Sequence, residues 1–408
     1  MKIIDGGVTS PKGFKAAGTR AGIKAGKTNK DMAMIYSEVP AATAGTFTKN
    51  IVKAAPVLWD MKVVEEEKMA QAVVINSGVA NACTGDEGYQ NAVKMAKLTA
   101  SALNVNEKQV LVASTGVIGY KLPMDVIESG ITKLKDMIKT DRECAVDAAT
   151  AIMTTDTHKK EIAVEFEIAG TKVTMGAMCK GSGMIHPNMG TMLGFITTDL
   201  AIEQKLLSKA LKEVIEDTFN MVSVDGDTST NDTVVILANG MSNNNKITTE
   251  NEDYEIFKNA LLEVNTYLAK QIAQDGEGAT RLFQVDVVGA PDKETAKILA
   301  KSIVTSNLTK CAIYGKDANV GRVLCAMGYS GAKFDPYKVD VTITSDKGTV
   351  KLLENGMYTD FDEEFATEVM SPEVVIATAD IKAGDASATA WGCDLTYDYV
   401  KINADYRS

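Results

Sequence analysis

Lys180-Gly181-Ser182-Gly183-Met184-Ile185-His186-Pro187-Asn188-Met189-Gly190-Thr191, running straight into Met192-Leu193-Gly194-Phe195-Ile196-Thr197, is the stretch on which the reading of this chain turns. A glycine-rich loop containing His-Pro ends at Thr191, and the apolar run behind it predicts a strand. A threonine hydroxyl is a poor nucleophile unless a base removes its proton. A chain cut immediately before a threonine creates that base, a freed α-amine with a pKa of about 7.7–8.0. Amine and hydroxyl then share one residue, so no histidine is required. The small Gly190 leaves the preceding carbonyl accessible and tolerates strained backbone angles. The plainer reading is a threonine that opens a buried strand, where β-branched residues pack well. The rest of the chain decides between the two.

The composition suits a histidine-free mechanism. Only two histidines occur, His158 and His186, which leaves little room for zinc sites or a Ser-His-Asp triad. Six scattered cysteines, none in a C-x-x-C pair, make no disulfide framework. With 408 residues, 45% hydrophobic and 24% charged, the chain has ample material for two to three domains of about 150 residues each. Lys+Arg of 43 against Asp+Glu of 54 gives a net charge of −11, which disfavours nucleic-acid or membrane partners and still allows a local basic pocket. Met1-Lys2-Ile3-Ile4-Asp5-Gly6-Gly7 lacks an apolar signal core, and no run approaches about 18 apolar residues. A cytoplasmic location is expected. Phosphate-loop, dinucleotide, H-E-x-x-H and G-x-S-x-G motifs are absent, and no metal is expected.

Apolar runs and helical periods alternate from end to end, which argues for an α/β or α+β architecture. Strands are expected at 32–36, 72–75, 110–113, 162–168, 172–177, 233–237, 284–288, 339–343 and 374–377. The clearest helix spans 203–220, with Leu206, Leu207, Ala210, Leu211, Val214 and Ile215 on one face. Further helical patterns lie near 90–103, 124–137, 256–272 and 293–302. The polar stretch 242–254 predicts a surface loop leading into a helix, and a C-terminal subdomain is expected from about residue 283.

Five polar, glycine-rich segments punctuate these runs: Asn76–Ala82, Ser114–Gly119, Lys180–Thr191, Asp225–Asp232 and Asp275–Thr280. Glycines that close turns and hydroxyls that cap helices would account for any one of them. Five in one chain point to loops that converge on a small polar ligand. The runs INSGVANACTG (75–85), STGVIG (114–119), MTTDT (153–157), KGSGMIHPNMGTMLGF (180–195), DGDTSTNDT (225–233), DGEGAT (275–280) and NADYRS (403–408) occur in order over the chain. With them the sequence resembles the ornithine acetyltransferase (glutamate N-acetyltransferase) family of arginine biosynthesis.

The resemblance implies an α/β layered sandwich of mixed sheets flanked by helices, with an N-terminal-nucleophile fold like that of related aminopeptidases and a smaller C-terminal α/β subdomain. It implies a precursor that cuts itself between Gly190 and Thr191 into an α chain (1–190) and a β chain (191–408), which assemble as a heterotetramer of two each. Thr191 is then the nucleophile that takes acetyl from N2-acetyl-L-ornithine and passes it to L-glutamate. Thr115 and Gly116 match the oxyanion-stabilising pair, and Thr157, Lys180, Thr191, Glu277, Asn403 and Ser408 match substrate-binding positions. No cofactor is implied, and acetyl-CoA stays open as a second donor. Acetylornithine carries a carboxylate and a distant ammonium, so Lys180 and Glu277 are complementary in charge to it. The family most often has Ala before the nucleophile; Gly190 relaxes strain, and slower maturation is expected. His186 is assigned a loop or packing role, and His158 a solvated one.

Two alternatives keep the residues but change the outcome. An N-terminal-nucleophile amidase or aminopeptidase would release the acyl group to water, and a non-catalytic amino-acid-binding protein would leave Thr191 uncut. The STGVIG block argues against the second, since a binding pocket gains little from oxyanion donors.

Overall fold

The computed structural model describes residues 1–186 and 192–405, so Gly190, Thr191 and Ser408 lie outside the described residues. The strands of the N-terminal part are β1 (Lys2–Ile4), β2 (Phe14–Thr19), β3 (Met32–Phe47), β4 (Met69–Val79), β5 (Val110–Val117), β6 (Lys160–Ile168), β7 (Thr171–Lys180) and β8 (Leu193–Thr198). They are followed by β9 (Val222–Ser223), β10 (Thr233–Ala238), β11 (Leu282–Ala290), β12 (Asp340–Ser345), β13 (Gly348–Glu354), β14 (Met357–Tyr358), β15 (Val374–Asp380) and β16 (Ala386–Cys393). Two units emerge. The first holds Met1–Gly181, the described part of Pro187–Glu216, and Thr228–Leu268; the second holds Ser182–His186, Asp217–Asp227 and the described part of Ala269–Ser408.

In the first unit the sheet runs β1-β6-β7-β8-β10-β3-β4-β5, with β2 added against β3. Its two central strands, β8 and β10, pair in parallel and are buried along their whole length. β8 begins two residues after Thr191 in the chain and lies between β7 and β10. Helices α1 (Ala55–Lys62), α2 (Gly85–Leu103), α3 (Met124–Met137) and α4 (Arg142–Ala151) pack against the β2–β5 side. α4 lies so close to β2 that a side chain on Gly18 would overlap the backbone of Asp147. In α5 (Gln204–Asp217) the buried residues are the six apolar ones that its period places on one face.

Strand β5 ends the sheet and would expose unpaired backbone groups. Two neighbouring side chains of α1 cover it: Trp59 Nε1 donates to the Val110 carbonyl (2.9 Å), and Asp60 Oδ1 accepts the Val112 N–H (2.8 Å). Burial pushes the Asp60 carboxyl well above its ordinary pKa. Strand β3 is much longer than its apolar run. It continues past an irregularity between Tyr36 and Ala41, where Glu38, Val39 and Pro40 are exposed and proline has no N–H to offer the ladder. The polar 242–254 stretch is not wholly superficial. Ser242 and Asn244 are buried, and Asn244 Oδ1 accepts the Ala201 N–H (2.8 Å), before α6 (Glu252–Gln274) begins.

The second unit has its own sheet, β14-β13-β12-β15-β11-β16-β9, again mixed, with β11 parallel to β15 and antiparallel to β16. Helix α7 (Lys293–Thr305) packs on β11 and β16 and is capped by Asp292, whose carboxylate accepts the Thr295 N–H (2.7 Å). The chain is thus a mixed α/β protein with two sheets flanked by helices. Among the described residues, no helix is long and apolar enough to cross a membrane.

Candidate active site

Thr115 and Gly116 occupy the end of β5, where its pairing with β4 turns irregular and Gly78 stands opposite Gly116. Both glycines adopt positive φ, +108° at Gly78 and +130° at Gly116, a region that favours glycine. A Cβ on Gly116 would also overlap the backbone carbonyl of Gly78. Buried amides fasten this end. Asn76 accepts from Ser114 Oγ (2.6 Å) and donates to the Val79 carbonyl (2.9 Å). Asn231, from the DGDTSTNDT run, donates to the carbonyls of Ala80 (2.6 Å) and Ser114 (2.8 Å). Were this strand end the oxyanion-stabilising pair that the resemblance implies, Gly116→Ala would lower the rate of acyl transfer by about a hundredfold or more, the scale of losing one such donor. Steady-state kinetics on purified variant and parent check this.

Lys180 closes β7 in the same unit and is buried beside Asp156. Asp156 Oδ1 accepts from Lys160 Nζ (2.7 Å) and from the Gly181 N–H (2.7 Å), while Oδ2 accepts the Thr154 N–H (3.0 Å). The side chains of Lys160 and Asp156 are fully buried. Burial alone would push the Asp156 carboxyl up, but Lys180 and Lys160 outweigh it and hold the group well below the usual carboxylate range. One carboxylate thus gathers the start of β6, the end of β7 and the loop that carries Thr157. Thr157 is exposed, with Oγ1 3.2 Å from His158 Nδ1, and His158 is solvated as expected.

Glu277 and Asn403 belong to the second unit, where Asn403 Nδ2, on the helix Tyr397–Asp405, donates to Glu277 Oε2 (2.8 Å). The Glu277 N–H donates to the Ser182 carbonyl (3.0 Å), and its carboxylate lies against Gly183, where any side chain would overlap it. Ser182 Oγ donates to the Asp275 carbonyl (2.6 Å), and Asp225 accepts the N–H groups of Met184 (2.6 Å) and Ile185 (2.9 Å). The described part of the loop before Thr191 is therefore tied to two other glycine-rich runs. His186 lies 3.1 Å from Ser223 Oγ, and burial, with Lys301 nearby, lowers its pKa to about 4. It is neutral near pH 7 and fits the packing role assigned to it.

The polar segments are thus brought together within each unit. In the first, Thr115, Gly116 and Lys180 lie on strands of one sheet and Thr157 on the loop before β6, and in the second Glu277 and Asn403 share a hydrogen bond. Sequence reasoning gave Asp156, Lys160 and Asn231 no role. Asp156 lies inside the MTTDT run, but nothing local shows that a strand 25 residues later delivers the Gly181 N–H to it.

Residues 15–408 match the model of the ArgJ family. The chain is 53% identical to the arginine biosynthesis bifunctional protein ArgJ 1 of Clostridium acetobutylicum, over 98% of this chain and 97% of that protein. It is 52% identical to the arginine biosynthesis bifunctional protein ArgJ of Caldanaerobacter subterraneus subsp. tengcongensis, over the full length of both. A crystal structure of the ArgJ protein of Bacillus halodurans is similar at 46% identity and a TM-score of 0.51, covering 53% of this chain and 100% of the solved one. On a family match of this extent, and on relatives this similar from end to end, the chain belongs to the ArgJ family.

Proposed function

We propose that this protein is an acyltransferase of arginine biosynthesis, a glutamate N-acetyltransferase that moves acetyl from N2-acetyl-L-ornithine to L-glutamate. The observation that carries the reading is the pairing, within one unit, of a glycine-enforced Thr115–Gly116 strand end with the cationic surroundings of Lys180. Family membership over nearly the whole chain supports it.

Maturation begins with the Thr191 hydroxyl attacking the Gly190 carbonyl carbon. The peptide C–N bond breaks as an ester forms, which frees the Thr191 amine, and water then hydrolyses that ester to release the Thr191 hydroxyl and a Gly190 carboxylate. That a solved relative matched along its whole length corresponds to 53% of this chain supports such a cut, since residues 191–408 make up the same share. In transfer, the Thr191 amine takes the hydroxyl proton while Oγ attacks the acetyl carbonyl. Thr115 and Gly116 stabilise the negative oxygen, and ornithine departs with the proton. The glutamate amine then attacks the acetyl ester and leaves as acetylglutamate. Lys180 is assigned to the carboxylate of the substrate, Glu277 with Asn403 to its distant ammonium, and Thr157 and Ser408 to further hydrogen bonds.

The word bifunctional in the relatives' names supports a second donor, which we take to be acetyl-CoA. We also assign a cytoplasmic location and an assembly of two α and two β chains. The test offers each donor separately with glutamate. Acetylglutamate is expected from both, and acetate should stay a minor product when glutamate is saturating. Acetate as the main product at every glutamate concentration would make the protein an amidase instead.

A further inference from the structure

Lys24 sits on the loop between β2 and β3, far in sequence from every motif above. Its backbone is anchored: the Asp31 carboxylate accepts the N–H groups of Ala21 (2.6 Å), Gly22 (3.0 Å) and Lys24 (3.1 Å). The Asp31 carbonyl in turn accepts the Ser77 N–H (2.9 Å), which docks the loop on the end of β4. The side chain runs over Gly78, where an added Cβ would come within 3.0 Å of Lys24 Cγ. Gly78 is the residue against which Gly116 packs, so only a glycine separates the Lys24 stem from the oxyanion pair. At its tip, Nζ donates to the carbonyl of Met153 (2.7 Å), the first residue of the MTTDT run. A carbonyl is no counter-charge, and an ammonium has three donors.

The electrostatics point the same way. Burial presses the Lys24 pKa down to about 8; Asp31 and Asp156 pull it up, while Lys180 and Lys27 push it further down. A half-buried cation among other cations gains from an arriving anion. In acetylornithine the carbon next to the acylated nitrogen carries the α-carboxylate, and in glutamate the carbon next to the accepting nitrogen does. Once the acyl oxygen faces Thr115 and Gly116, that carboxylate lies only a few bonds from them.

We propose that Lys24 is a further substrate-binding residue, whose ammonium holds the α-carboxylate common to donor and acceptor. The proposal rests on the acetyl-transfer reading above. It differs from a role as a mere pin on Met153, because a pin is indifferent to the charge of the substrate.

The test compares wild-type, Lys24→Met and Lys24→Arg enzymes on N2-acetyl-L-ornithine and on N-acetylputrescine, the same donor without its carboxylate. Lys24→Met should raise KM for acetylornithine and for glutamate about tenfold or more, the scale of one charge-assisted hydrogen bond. The preference in kcat/KM for acetylornithine over acetylputrescine should shrink by a similar factor, and Lys24→Arg should restore part of it. Where acetylputrescine turns over too slowly, the ratio of inhibition constants for ornithine and putrescine reads the same quantity. Either ratio is taken within one preparation, so partial misfolding cancels. A Lys24→Met enzyme that discriminates between the two donors as strongly as wild type overturns the proposal. Wild-type enzyme that makes no acetylglutamate from acetylornithine overturns the acetyl-transfer reading itself, and Lys24 with it.

Discussion

Thr191→Ala is expected to remain a single 408-residue chain and to form no acetylglutamate, whereas the parent runs as chains of 190 and 218 residues with the larger beginning at Thr191. One hydroxyl serves both events, and its removal abolishes the ester through which each proceeds. Deleting the nucleophile of a comparable catalytic unit costs on the order of a millionfold in kcat. Thr191→Ser keeps an oxygen at the same position and should still mature and transfer, more slowly. Intact-mass measurement and a coupled acetylglutamate assay read both outcomes. An Ala variant that was cut and active would end the mechanism, because the base is itself a product of the cut.

Asp156→Ala should produce a large loss of stability, about 3–5 kcal/mol, because it removes the carboxylate with which the buried Lys160 ammonium pairs. It also removes the acceptor of the Gly181 N–H, at the point where the chain leaves β7 for the loop before Thr191. Denaturant unfolding checks the magnitude. The double variant Asp156→Asn/Lys160→Met should recover part of the loss, since it removes the fully buried Lys160 cation along with its carboxylate and leaves only Lys180 charged there. The pH dependence follows from the depressed folded-state pKa of Asp156. Its stabilisation is complete above the unfolded value of about 3.9 and is lost as pH falls through the folded value. Wild-type protein should therefore lose this contribution progressively below about pH 4, and the double variant should lack it. A variant pair with the same acid unfolding curve as wild type would contradict the assignment.

The candidate site was legible in part. The runs expected as strands at 72–75, 110–113, 162–168 and 233–237 lie within β4, β5, β6 and β10, and the helix expected at 124–137 is α3. These segments bury a face or a whole strand, so their apolar pattern is strong. Strand β2 and helix α4 gave weaker signals. α4 is rich in small residues that leave little amphipathic contrast, and its stability comes from close approach to Gly18. Strand β3 looked short because Ser37-Glu38-Val39-Pro40 breaks its apolar run, yet pairing with β4 resumes beyond the irregularity and pairing with β10 begins there.

A hydroxyl that gains its own base once the chain is cut before it, and the order of the motifs around it, are covalent properties written along the chain, which is why Thr191 could be proposed from the residues, and the family, with the roles of Thr115 and Gly116, from the resemblance those motifs carry. Charge compensation depends instead on distances through space. Asp156 meets Gly181 across 25 residues and Lys24 meets Met153 across 129, through sheet register and glycines that let backbones approach. No local pattern encodes such meetings, because the free energy of a buried charge is set by neighbours that folding brings to it.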